Sequence, residues 1–184
     1  MARSIEQIKE EFYQYFPDLR RDSKFDITSP ETDIYNCIAF AMGFEDRRVD
    51  YSPEIEGHWW PPIPVCDEKP SSLVEAFRFM KFIECEDGSI EEGYDKVALY
   101  KVKEGYNQFG IWEPEHWTHA SKIVDVNECH SKMGEMNDIH HRDGDVFAGT
   151  IYGEIFQYMK RPIKDRSIVD SFPTGDDCEF EVFW

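Results

Sequence analysis

Cys37 and His119 are the residue types that together could run nucleophilic chemistry on a carbonyl. A thiol attacks only as its thiolate, and it needs a base within hydrogen-bond reach, held in place by a third polar group. Cys37 lies in the apolar stretch Asp33-Ile34-Tyr35-Asn36-Cys37-Ile38-Ala39-Phe40-Ala41-Met42-Gly43. The stretch reads as a buried helix over 33–42. Thr32, Asp33 or Asn36 caps it, and Gly43 ends it in the left-handed conformation. The free N–H groups at a helix start favour a thiolate there. His119 opens a predicted strand and is the best base candidate. Ser131, Asp138, His140 and His141 follow it and are candidates to orient its ring. Asn36, or the backbone around Cys37, could steady an oxyanion. The bland alternative is that Cys37 is a small core residue, since cysteines are among the most buried side chains.

Two other constellations compete for a role. His116, His119, Cys129, His130, His140 and His141 crowd one stretch, with Asp138 and Asp143 close by. Their spacing matches no zinc motif. His140 and His141, being adjacent, point to opposite sides of any strand. No metal and no other cofactor is therefore expected. The second constellation is charge. The chain of 184 residues carries a formal net charge of −18. This excess argues against nucleic acid, whose phosphates need basic partners, and suits a basic protein partner. Acidic residues gather at Glu84, Glu86, Asp87, Glu91 and Glu92, and again at Asp176, Asp177, Glu179 and Glu181. A solvated acidic face is the bland reading of both.

These residues need a scaffold. Hydrophobic residues at 41% and aromatics at 15% provide for one packed domain over 1–184. Its core spans about 33–162, with an N-terminal helix at 4–16 and an acidic tail at 163–184. Ser4 and Gln7 form a capping box, and Ile5, Ile8, Phe12 and Tyr15 or Phe16 share a face until Pro17. Ser72 and Glu75 predict a second capped helix over 72–83. The loop between contains Gly57-His58-Trp59-Trp60-Pro61-Pro62, where proline forbids helix. Trp59 and Trp60 could line a substrate groove or simply cover the core edge. Period-two patterning predicts strands near 96–102, 118–125, 129–133 and 147–159. The fold class is thus α+β, with helices on an antiparallel sheet. Phe180-Glu181-Val182-Phe183-Trp184 alternates like an added edge strand or docking tail.

Five cysteines without Cys-x-x-Cys spacing suit a reducing compartment rather than a disulfide framework. The N-terminus lacks an apolar signal region and no run is long enough to span a bilayer, so a cytoplasmic protein without a membrane segment is expected.

Several motifs together carry a resemblance. Asn36-Cys37-Ile38-Ala39-Phe40-Ala41, Trp59-Trp60-Pro61-Pro62, Lys96-Val97-Ala98-Leu99-Tyr100, Thr118-His119-Ala120-Ser121-Lys122, Ser131-Lys132-Met133-Gly134 and Lys160-Arg161-Pro162 resemble an uncharacterised bacterial family of unknown function. More loosely, the order of cysteine helix, strand, histidine strand and polar residue is similar to papain-like thiol hydrolases, including compact bacterial cell-wall peptidases and amidase toxins. That resemblance implies a papain-like arrangement and a cysteine hydrolase or acyltransferase acting on an amide or peptide substrate. Cys37 would be the nucleophile, His119 the base, and Ser131, Asp138 or His140 the orienting residue. The alternative is an acidic, non-enzymatic immunity protein or adaptor that neutralises a basic partner.

Overall fold

The computed structural model describes residues 3–52, 55, 57–106, 109–142, 144–147 and 151–172. The expected C-terminal strand, the second acidic cluster and Asp143 lie outside them. Helix α1 (Ile5–Tyr15) starts as its sequence dictates. Gln7 N–H donates to Ser4 Oγ and Ser4 N–H to Gln7 Oε1, at 3.2 and 2.9 Å. A 3₁₀ turn (Pro17–Arg21) follows, then strand β1 (Asp26–Ile27). Helix α2 (Cys37–Met42) is shorter than its apolar run, because Asn36 is extended and caps it through Ala39 N–H. Gly43, at φ 107°, closes it with bonds to the Ala39 and Phe40 carbonyls.

Strands β2 (Arg48–Val49) and β3 (His58–Trp59) make a small parallel pair inside the proline-rich segment. Helix α3 (Pro70–Phe79) begins before the expected Ser72. Pro70 at its first turn is preset for the helix, while Ser72 sits inside it and donates to Asp67. Lys81, at φ 67°, turns the chain into β4 (Ile83–Cys85), where a helix end and an acidic turn were expected. The long strands β5 (Tyr94–Val102) and β8 (His116–Asp125) enclose a hairpin of β6 (Gly105–Tyr106) and β7 (Trp112–Glu113). Then come β9 (Glu128–Lys132), β10 (Asp138–His141), a 3₁₀ turn (Gly144–Phe147), β11 (Glu154–Pro162) and a final 3₁₀ segment (Ile163–Ser171). The strand expected over 147–159 is therefore shifted, and β10 is an additional strand between it and the one expected near 129–133.

Seven strands form one antiparallel sheet in the order β1-β10-β9-β8-β5-β11-β4. This establishes the α+β class. Both faces are covered, so the central strands are apolar on both sides. One face offers Val97, Leu99, Ala120 and Met159 to Ile38, Phe40, Leu73 and Phe77 of α2 and α3. The other offers Ala98, Tyr100 and Ile139 to Phe12, Phe16, Leu19, Phe25 and Phe147. Each fully buried aliphatic or aromatic side chain in these layers contributes about 1.5–3 kcal/mol. No helix among the described residues is long and apolar enough to cross a membrane.

Gly153 leads into β11 at φ 77°, and a Cβ there would lie 2.0 Å from the Lys101 carbonyl oxygen. Gly110 shares a positive φ, 73°, but a Cβ there would meet nothing within 4 Å. Gly153→Ala should therefore cost more than about 2 kcal/mol, and Gly110→Ala only about 1 kcal/mol. Chemical denaturation of the two variants checks this; equal losses would contradict the close approach.

Candidate functional site

Cys37 is the first residue of α2 and only 8% exposed. Its Sγ points at the Thr118 carbonyl oxygen, 4.0 Å away. The N–H groups of Ala120, Ile38 and Cys37 itself favour a thiolate, but burial outweighs them and pushes the thiol up to about 11. A helix start activates a cysteine only where the charge can be solvated or paired. Here the thiol behaves as an apolar core group.

His119 is fully buried within β8. Its ring stacks on Tyr152, with centroids 4.1 Å apart and planes at 6°. Tyr100 and Phe147 meet it edge-on. Alternation along β8 puts His119 and Ser121 on the α1 side, and Ala120 on the α2 side against the cluster that contains Cys37. Cys37 thus packs with the α2-side cluster, while the His119 ring packs against Tyr100, Phe147 and Tyr152. Among the described residues no hydrogen bond joins them.

The expected orienting residues divide in the same way. Ser131 is the one that bonds His119, its Oγ lying 3.2 Å from Nε2. Ser131 also lies 2.7 Å from Ser121 Oγ and 2.8 Å from His141 Nε2. Ser121 in turn donates to the Tyr100 hydroxyl at 3.3 Å. With Ser121 donating outward, Ser131 donates to Ser121 and accepts an Nε2–H from each imidazole. His119 is then a neutral Nε2–H tautomer in this assignment. Burial, and secondly the His141 charge, hold His119 well below the ordinary histidine range. His119 Nδ1 has no hydrogen-bond partner among the described residues. Asp138 is on the α2 side instead, accepting from the Tyr35 hydroxyl at 2.7 Å, and His140 stacks on His130.

The expected substrate-binding residues have structural partners. Asn36 accepts from Ala39 N–H and Val49 N–H and donates to the Val49 carbonyl, so its amide oxygen and one amide N–H are engaged in the fold. Trp60 is buried, donates to the Val65 carbonyl at 2.7 Å and stacks on Trp117. Trp59 packs on Phe44 and Phe172. A cavity of about 600 Å³ lies beyond the far end of α2, lined by Gly43, Val97, Lys122 and Arg161. Cys37 is not among its lining residues.

The most exposed apolar surface belongs to the β6–β7 hairpin, which the sequence had presented only as a loop. Tyr106 is 74% exposed, Phe109 77%, Ile111 61% and Trp112 53%. The Tyr106 and Trp112 rings meet edge-on at 5.2 Å, across the register that pairs them. The signal was present as aromatic residues within a glycine-bounded loop. Glu104, Glu113 and Glu115 flank it, with Lys101 paired to Glu115 and Lys103 to Glu154.

Two expectations follow. Alkylation by iodoacetamide near neutral pH should modify exposed Cys66 well before Cys37, and His119→Ala should leave the Cys37 rate unchanged while the fold holds. A fast, His119-dependent Cys37 reaction, read by mass spectrometry, would contradict the burial. The second concerns acid. A histidine lowered in the fold binds more protons when unfolded, so its contribution is complete above the unfolded pKa of about 6.5 and is lost as pH falls below it. Stability should decline below that pH, and His119→Gln should flatten the decline in denaturation midpoints.

The sequence profile of a domain of unknown function, DUF7689, matches residues 26–160. No curated protein and no solved structure matches the chain. The matched stretch runs from the first residue of β1 into β11, and so takes in every strand of the main sheet along with α2 and α3. The protein belongs to the DUF7689 family of domains of unknown function.

Proposed function

We propose that the protein is a non-enzymatic acidic binding module, an immunity protein or adaptor that engages a basic protein through the β6–β7 hairpin. The observation that carries this reading is the hairpin itself. Single exposed apolar residues are ordinary, but Tyr106, Phe109, Ile111 and Trp112 are adjacent on one projecting element. Tyrosine and tryptophan are the side chains that most often anchor interfaces, and their few rotatable bonds make ordering cheap. The edge-on Tyr106–Trp112 contact holds two of the rings in place before any partner arrives.

Charge supplies the other half. A net charge of −18 attracts a basic protein over long range and raises its association rate. The cluster at 84–92 is less suited to direct docking, because Glu84 pairs with Arg78 and Glu91 with Lys160. A hydrolase working through Cys37 and His119 would need both groups in one accessible site. The buried thiol and the buried imidazole, whose Nε2 bonds Ser131 rather than Cys37, favour the binding reading instead.

A photo-crosslinking residue placed at the exposed, flanking position 104 identifies the partner in cells, which is then purified and titrated. The expected partner is basic, its affinity falls with added salt, and Trp112→Ala or Tyr106→Ala weakens it at least about tenfold, as for interface anchors. Cys37→Ala leaves binding unchanged. Salt-independent binding, or full binding by the Trp112→Ala and Tyr106→Ala variants, would sink the proposal.

A further inference from the structure

We propose that Glu128, His130 and His140 form a binding site for a divalent transition-metal ion on the α2 side of the sheet. One ligand atom from each lies within 4.8 Å of the other two. The strand register creates the cluster. His130 of β9 is directly opposite His140 of β10, so their side chains leave the sheet on the same face. Glu128 is two residues before His130 on β9 and shares that face.

Each donor is poised for a cation. The His130 and His140 rings are parallel within 13°, with centroids 3.6 Å apart. Burial and then the neighbouring His140 charge lower the His130 pKa, which favours a free lone pair on that ring. His130 Nε2 is enclosed and makes no hydrogen bond among the described residues, although Glu128 Oε1 is 3.5 Å away. A buried ring nitrogen beside a carboxylate, without a bond of good geometry, is a group in need of a partner. An ion between them would supply one.

Glu128 is held in place by Lys24, whose ammonium lies 2.8 Å from Oε2 and leaves Oε1 turned toward the imidazoles. Two imidazoles and one carboxylate suit Zn²⁺ or a neighbouring first-row ion, with a fourth position for water. The oxygen-rich shells of Ca²⁺ and Mg²⁺ do not fit this donor set. Metal–ligand bonds of about 2.0–2.2 Å require the three donors to draw together by about an ångström through side-chain rotation.

The test is titration of the reduced, metal-free full chain with Co²⁺ and Zn²⁺. One ion per chain is expected, with a visible Co²⁺ spectrum and no thiolate charge-transfer band. His140→Gln and Glu128→Gln should each weaken binding at least about tenfold, as loss of a ligand does. Both side chains are partly exposed, and near-ultraviolet circular dichroism confirms that the variants remain folded. Absence of stoichiometric uptake, a thiolate band, or unchanged affinity in both ligand variants would overturn the site.

Discussion

Strand β8 is buried on both sides, and the period of two along it decides where every candidate group can act. His119 and Ala120 face opposite ways, while a bulge at Thr118 breaks the alternation before them and puts Trp117 with the α2-side cluster, so one strand serves two packing layers. The α2 layer takes Ala120 and encloses Cys37 against the Thr118 carbonyl. The α1 layer takes His119 and Ser121 and adds Ser131, His141 and Tyr100 to a closed polar network. A mixed polar cluster inside an apolar layer is tolerated because its hydroxyls and Nε2 groups satisfy each other. It ties β8, β9 and β10 together through side-chain hydrogen bonds.

Much of the scaffold was legible. The Ser4–Gln7 capping box, the Gly43 stop and the alternation in β5, β8 and β9 are local signals, and local signals survive folding. The misread elements have identifiable causes. β10 is Asp-Ile-His-His, polar by composition, yet its two histidines go to different faces and one is wholly buried. β4 is an edge strand with little burial, so it carries hardly any apolar pattern. α3 begins at a proline rather than at the serine that matches a capping box, because Lys69 is already extended and Pro70 suits the first turn.

The site was harder to read for a different reason. Ser131 as a neighbour of His119 could be named from its place on the next strand. Which face Cys37 would meet could not, since that depends on the side of the sheet on which α2 docks, a long-range choice. The Glu128–His130–His140 cluster likewise depends on the β9–β10 register, and linear spacing does not encode it. Both cases separate what a strand pattern specifies, parity along one strand, from what it leaves open, alignment between strands.

The sheet ends on β1, two residues long, and on β4, three residues long. Outer strands this brief give another polypeptide few backbone N–H and C=O groups to pair with, so they offer a poor template for adding a strand or for edge-to-edge stacking. A polypeptide meeting β1 or β4 themselves would have to be held by side chains rather than by a main-chain ladder.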